Sequence, residues 1–226
     1  MREPETDAAI GLSRPAPHPG TIRIVRQLVA PSSMPAPVTL TGSHVRLAPL
    51  TLDHLDALAA VGLDPDLWRL SPRQIETRDH MRAYIEEALD EHARGVSLPF
   101  ATVDLASASV AGCTRFGSIE LAHKRLEIGW TWIAKPWQRT AVNTEAKLLM
   151  LRYAFETLGC QRVELKTDSR NERSQNAMRR IGATEEGTLR KHMVTASGYI
   201  RHTVYFSILD DEWPAVEAHL TDRLAR

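Results

Sequence analysis

Residues 126–183 read LEIGWTWIAKPWQRTAVNTEAKLLMLRYAFETLGCQRVELKTDSRNERSQNAMRRIGA, and the fold follows from how this stretch is divided. Leu126 to Ile133 alternates, which predicts a strand with Leu126, Ile128, Trp130 and Trp132 on one face. Glu127, Gly129, Thr131 and Ile133 fall on the other. Pro136 then breaks the chain. From Val142 to Leu158 the residues Val142, Ala146, Leu149 and Tyr153 recur at helical spacing, Leu148, Leu151, Phe155 and Leu158 widen the stripe, and Gly159 ends it. Arg162 to Thr167 alternates Val163 and Leu165 with charged residues and predicts a second strand. Asn171 to Ile181 predicts a short helix that stops at Gly182.

Working outward, Ser43 to Leu50 is the first clear strand. Leu52, Leu55, Leu58, Ala59 and Leu63 form a helical stripe behind Thr51 or Asp53, with Trp68 in the loop that follows. Arg78 to His92 predicts a second helix capped by Thr77, with Met81, Ile85 and Leu89 on one stripe. Phe100 to Asp104 and Ser109 to Ser118 are short strands. Downstream, Thr188 to Val194 and Tyr199 to Leu209 read as a hairpin, and a helix follows Asp211 with Pro214 in its first turn. The order β-α-α-β-β-β-α-β-α-β-β predicts one α/β domain, a mixed and mostly antiparallel twisted sheet with helices on both faces.

Residues 1–37 contain seven prolines and predict a disordered tail, leaving residues 38–226 as the domain. Met34 is a candidate translation start. The 28 basic and 28 acidic side chains cancel, which argues against a nucleic-acid partner or an acidic membrane surface. No apolar run is long enough to span a bilayer, and no signal-peptide pattern opens the chain. Cys113 and Cys160 lack metal or redox spacing, and the nine histidines form no metal-ligand motif. His192 and His202 are expected to face each other across the hairpin. A reducing, cytoplasmic setting and no metal are expected.

The chemistry is expected where Ile133 to Thr144 joins a strand to a helix N-terminus, since free N–H groups and the helix dipole there suit a phosphate. Taken alone, that junction is common to all α/β proteins. Four features in order add weight: the carboxylate of Glu127 in EIG, the turn at Gln138 to Asn143, Asn171 with Ser174 opening the next helix, and the R-x-IGA exit. With them, the chain from about Val38 to Val216 resembles the GNAT acetyltransferases, specifically the RimJ/RimL-type branch.

The resemblance implies acetyl-CoA as cosubstrate, wedged between the strand of Glu127 and the strand Val163 to Thr167. It implies that backbone at Trp132, Ile133 and Ala134 pairs with pantetheine, and that Gln138, Arg139, Thr140, Ala141, Val142 and Asn143 wrap the pyrophosphate. Ala141 stands where the family carries a glycine, so an extra methyl enters the loop. Glu127 is the candidate general base, with an ion pair to Lys124 or Arg125 as its plain structural alternative. Ser174 is the candidate proton donor to the CoA thiolate, and Asn171 a cap that also orients ligand. Trp68, Trp130 and His192 are candidates for the acceptor site, His192 also as an alternative base.

Acetyl transfer needs a neutral amine. With ordinary pKa values near 7.8 and 10.4, roughly 14% of an α-amine but only about 0.04% of a lysine is neutral at pH 7. The favoured acceptor is therefore a protein or peptide N-terminus. A small-molecule amine, and a CoA-binding module without catalysis, remain alternatives, and a homodimer stays open.

Overall fold

The computed structural model describes residues 35–226. The expected tail therefore lies outside the described residues except for its last three. Among the described residues eight strands form one sheet: β1 (Leu40–Thr41), β2 (Val45–Pro49), β3 (Leu98–Asp104), β4 (Ser109–Glu120), β5 (Arg125–Ile133), β6 (Arg162–Asp168), β7 (Thr184–Val194) and β8 (Ile200–Leu209). Their spatial order is β1-β2-β3-β4-β5-β6-β8-β7. Every neighbouring pair is antiparallel except β5 and β6, which run parallel. The mixed sheet is thus as the element order implied.

Helices cover both faces. On one lie α1 (Leu55–Gly62), α2 (Pro65–Trp68) and α3 (Arg78–Ala93), whose Leu58, Trp68, Met81 and Ile85 share a core with Ala101, Cys113 and Trp132 of the sheet. On the other lie α4 (Ala141–Arg152) and α6 (Trp213–Leu224), packed with Val142, Leu151 and Leu220 against Phe100, Phe116, Ile128, Val163 and Phe206. Fully buried side chains of this size contribute about 2 kcal/mol each through apolar area removed from water. The short α5 (Glu172–Arg180) leads through Ile181 into this same core.

The helices begin where their capping residues dictate. Thr77 Oγ1 accepts from the His80 N–H at 3.1 Å and starts α3. The helix expected from Val142 to Leu158 is α4 followed by a wider π turn over Tyr153–Thr157, and Gly159 closes it at φ +66°. Two charged residues of α4 are buried. Glu145 accepts from the backbone N–H groups of Ser43, His44 and Val45 at 2.8, 2.6 and 2.8 Å, fastening the turn before β2 to the helix. Lys147 donates to Thr131 Oγ1 at 2.8 Å, and burial pushes its pKa down to about 7.

Candidate active site

The parallel strands β5 and β6 pair over only three positions, Arg125 with Arg162, Leu126 with Val163 and Glu127 with Glu164. Beyond them β5 continues beside β4 to Ile133 and β6 beside β8 to Asp168, so the two strands part. A bulge drives β5 away: Cys113 faces Trp132 and Arg115 faces Gly129, so three steps on β5 match two on β4. Trp130 sits in the bulge with φ +50°, a conformation that costs a bulky residue energy and persists only when its surroundings hold it. The Arg115 guanidinium lies 4.9 Å from the Trp130 ring centroid and 5.1 Å from that of Tyr84, whose hydroxyl donates to the Trp130 carbonyl at 3.2 Å. The bulge also reverses the strand's faces. The expected alternation holds only to Gly129: Trp132 packs with Trp68 and Cys113 in the second core, whereas Ile133 joins the α4 side.

The edge of β5 turned away from β4 faces the opening. The Ala134 N–H is taken by the Ala111 carbonyl on the β4 side, at 2.9 Å. Strand geometry turns the preceding N–H, that of Ile133, toward the opening. Glu127 stands where the strands begin to part. Its carboxylate is 3% exposed as a residue, 2.7 Å from Lys166 Nζ and within 3.4 Å of the Ser118 hydroxyl. Burial pushes the Glu127 pKa up, and the positive charge of Lys166 pulls against it. A Cβ at Gly129 would come within 2.6 Å of a Glu127 oxygen, so a side chain there would displace the carboxylate.

Two helix N-termini flank the opening on the α4 side. Thr140 caps α4 by accepting from Val142 N–H at 3.3 Å, and Arg139 before it takes the left-handed conformation at φ +65°. Ala141 is the first residue of α4 and has no positive φ, so its methyl imposes no backbone penalty. Gln138 fastens the loop, donating to the Ile133 carbonyl at 2.7 Å and accepting from Arg173 of α5 at 3.1 Å. In the first turn of α4 the Asn143 amide oxygen is buried without a partner among the described residues. Turned over, that amide offers N–H donors, which suits a phosphate at this end of the helix. Asn171 caps α5, accepting from Ser174 N–H at 3.1 Å.

Residues 44–184 match the acetyltransferase (GNAT) domain family, more than half of the chain. The chain belongs to the GNAT acetyltransferase family. A GCN5-related N-acetyltransferase from Brucella melitensis is 32% identical, with a TM-score of 0.79 over 84% of this chain and 87% of that one. YdaF of Bacillus subtilis (strain 168), provisionally named a ribosomal N-acetyltransferase, is 33% identical over 105 residues, 46% of this chain and 56% of YdaF. The match thus spans little more than half of that relative. RimJ of Mycobacterium smegmatis, solved in complex with CoA-disulfide, shares the fold at 21% identity, with a TM-score of 0.71 over 84% of this chain and 96% of that one.

In this GNAT fold the remaining candidates separate. Trp68 lies inside the second core, 3% exposed, its indole N–H donating to the Gly62 carbonyl at 2.7 Å and its ring packed against Tyr84 and Trp132. Its polar atom and its faces are thereby occupied by core neighbours. Trp130 is half-buried at the bulge. His192 meets Thr203 Oγ1 at 3.0 Å and the edge of Tyr205, in the stretch between Leu189 and Met193 where the register of the hairpin shifts. Burial and the nearby charges of Lys166 and Arg201 lower the His192 pKa. Among the described residues no group of three or more metal-ligating side chains occurs, and no helix is long and apolar enough to cross a membrane.

The sequence reading missed Lys166, Asp168 and Arg201, which share one face with Glu127. The signal was present in the strands. Val163, Leu165 and Thr167 alternate with Glu164, Lys166 and Asp168, and Val204, Phe206 and Ile208 alternate with Arg201, Thr203, Tyr205 and Ser207. The register sets Lys166 opposite Tyr205 and Asp168 opposite Thr203, so the polar sets of both strands line the face away from α4. The hairpin tip reaches the helical layer there, with Ala196 N–H donating to the Pro72 carbonyl at 2.9 Å.

Proposed function

We propose that this chain is an N-acetyltransferase of the RimJ/RimL type that moves an acetyl group from acetyl-CoA to the α-amine of a protein or peptide N-terminus. The observation that carries the proposal is the parting of β5 from β6 directly after Glu127, with that carboxylate buried on the face opposite the two helix N-termini. A cofactor entering from the α4 side and an amine entering from the Glu127 side meet in the same opening. The names of YdaF and RimJ lend support to the branch, and the family's use of acetyl-CoA to the donor.

When bound, acetyl-CoA supplies an activated thioester. The residues of the chain then have separable tasks. Glu127 takes a proton from the incoming ammonium through water, and its raised pKa brings it closer to working pH than an ordinary carboxylate. The Ile133 N–H stabilises charge on the acetyl oxygen, a donor fixed in place before reaction. Ser174, whose hydroxyl stands at the start of α5, relays a proton from solvent to the departing sulfur, giving up its own proton as it takes one from water. Transfer is direct in this reading: burial pushes the Cys113 and Cys160 thiols up to about 12 and 11, which leaves neither a ready nucleophile.

A thiol-release screen with acetyl-CoA against N-terminal peptides, free amino acids, polyamines and aminoglycosides tests the proposal. Turnover with peptide α-amines above the other classes supports it. Preference for another class overturns the acceptor assignment, and CoA binding without thiol release from any amine overturns the enzyme.

A further inference from the structure

On the acceptor face the two carboxylates within electrostatic reach of Arg201 already hold cations of their own. Glu127 pairs with Lys166 at 2.7 Å, and Asp168 with Arg170 at 3.2 Å. Asp168 also accepts from the Arg170 backbone N–H at 2.8 Å, while the Arg170 guanidinium stacks over Tyr199, 3.3 Å from its centroid. Arg201 has no such partner. It is 5% exposed, its Nε is sealed from solvent with no hydrogen bond, and no carboxylate lies within ion-pair distance of it among the described residues.

An arginine cannot relieve such burial by giving up its proton at neutral pH, as a lysine can. A desolvated guanidinium without an anion is therefore a costly arrangement to keep. Burial lowers the Arg201 pKa, and Asp168 and Glu127 pull it back, so both carboxylates are near enough to be felt although each is held by its own cation. Arg201 shares its strand face with Thr203 and Tyr205, and His192 lies against both of those residues. A buried guanidinium without a partner, within electrostatic reach of the carboxylate that receives the amine's proton, is the complement of an anionic group on the acceptor.

We infer that Arg201 binds a carboxylate of the acceptor, so that the preferred substrate carries a carboxylate within a few bonds of the amine that is acetylated. The guanidinium fork matches a carboxylate with two parallel hydrogen bonds. A doubly charged phosphate fits less well, since it would leave an excess negative charge beside Glu127. The carboxylate has two sources, an acidic side chain at the first or second position of a peptide, or the α-carboxylate of a free amino acid. This inference rests on the N-acetyltransferase reading.

The test is steady-state thiol release from acetyl-CoA with matched acceptors. One arm compares Ala-Glu-Ala-Ala-amide with Ala-Gln-Ala-Ala-amide, and Glu-Ala-Ala-amide with Gln-Ala-Ala-amide. The other compares free alanine and glutamate with their amides. In the arm holding the true source, the carboxylate form is expected to have a KM about tenfold or more below its neutral partner, with similar kcat, the effect of a charged hydrogen-bonded pair. In Arg201→Gln the ratio of the two KM values falls toward one. Arg201→Lys, which keeps charge without the fork, restores part of it, and it carries the test if the glutamine variant does not fold. Turnover of wild type without preference for the carboxylate in either arm overturns the inference alone. So does a preference that survives in Arg201→Gln. No turnover with any member overturns the acetyltransferase reading and this inference with it.

Discussion

Lys166 Nζ lies 2.7 Å from Oε2 of Glu127, across the point where their two parallel strands part. Burial and the neighbouring Glu164 push the Glu127 pKa up, and Lys166 is the principal group that pulls it down. Lys166→Met removes that cation, so protonated Glu127 becomes easier to form and its pKa rises further. The ascending limb of kcat/KM against pH is expected to move to higher pH, measured by thiol release with a saturable acceptor. A limb that does not move would show that another group titrates.

Lys147 makes stability depend on pH. Its folded pKa of about 7 lies below its ordinary value of 10.5, so between these values the unfolded chain holds a proton that the folded chain has released. Stability therefore rises with pH through that window, by at most about 1.4 kcal/mol per unit, and the full penalty is present below it. Lys147→Met is expected to unfold at higher denaturant than wild type at pH 7, with an advantage that shrinks toward pH 10.5. Thr131 and Thr114 keep each other as partners at 2.8 Å in that variant. A difference independent of pH would contradict the assignment.

Glu145 replaces a strand partner for the turn before β2, accepting three backbone N–H groups. In Glu145→Gln one oxygen becomes a donor facing those groups. Loss of about 3 kcal/mol is expected from chemical denaturation, the range for buried donors left without an acceptor. A loss under about 0.5 kcal/mol, ordinary for surface substitutions, would mean the turn is held by other contacts.

Ser174→Ala is expected to leave the unfolding midpoint nearly unchanged, because Asn171 caps α5 through the Ser174 backbone N–H rather than its hydroxyl. Its kcat falls, though by less than for loss of the base, since water can protonate a thiolate of ordinary pKa about 8.5. Measurement of kcat beside the CoA dissociation constant separates the two roles. Weakened CoA binding with unchanged kcat would make Ser174 a binding residue.

Most of the architecture was legible because it rests on periodicity and capping. Thr77, Gly159 and Gly182 mark the ends they were expected to mark, and Pro214 stands in the first turn of α6. β7 begins at Thr184, four residues before the expected Thr188, because an edge strand with both faces exposed shows no alternation. The bulge was illegible for a different reason. Nothing local distinguishes Trp130 from its neighbours; its left-handed backbone is held by Arg115 and Tyr84, which are distant in sequence. Trp132 was therefore assigned to the wrong face. The burial of Glu145 and Lys147 has no local signal, since their partners Val45 and Thr131 come from strands that only the tertiary fold brings near. Arg201 could have been found from the parity of Val204, Phe206 and Ile208, which places it on the polar face with Tyr205.

Glu127 has the central role, as the group that accepts the amine's proton. Glu127→Gln keeps the shape and much of the hydrogen bonding but cannot take a proton, so kcat for acetyl-CoA-dependent thiol release should fall by roughly 10²-fold or more. CoA affinity, read by calorimetry on the same preparation, should hardly change, because the carboxylate lies on the face away from α4. Turnover at the wild-type rate with the preferred acceptor would contradict the assignment of Glu127 as the base.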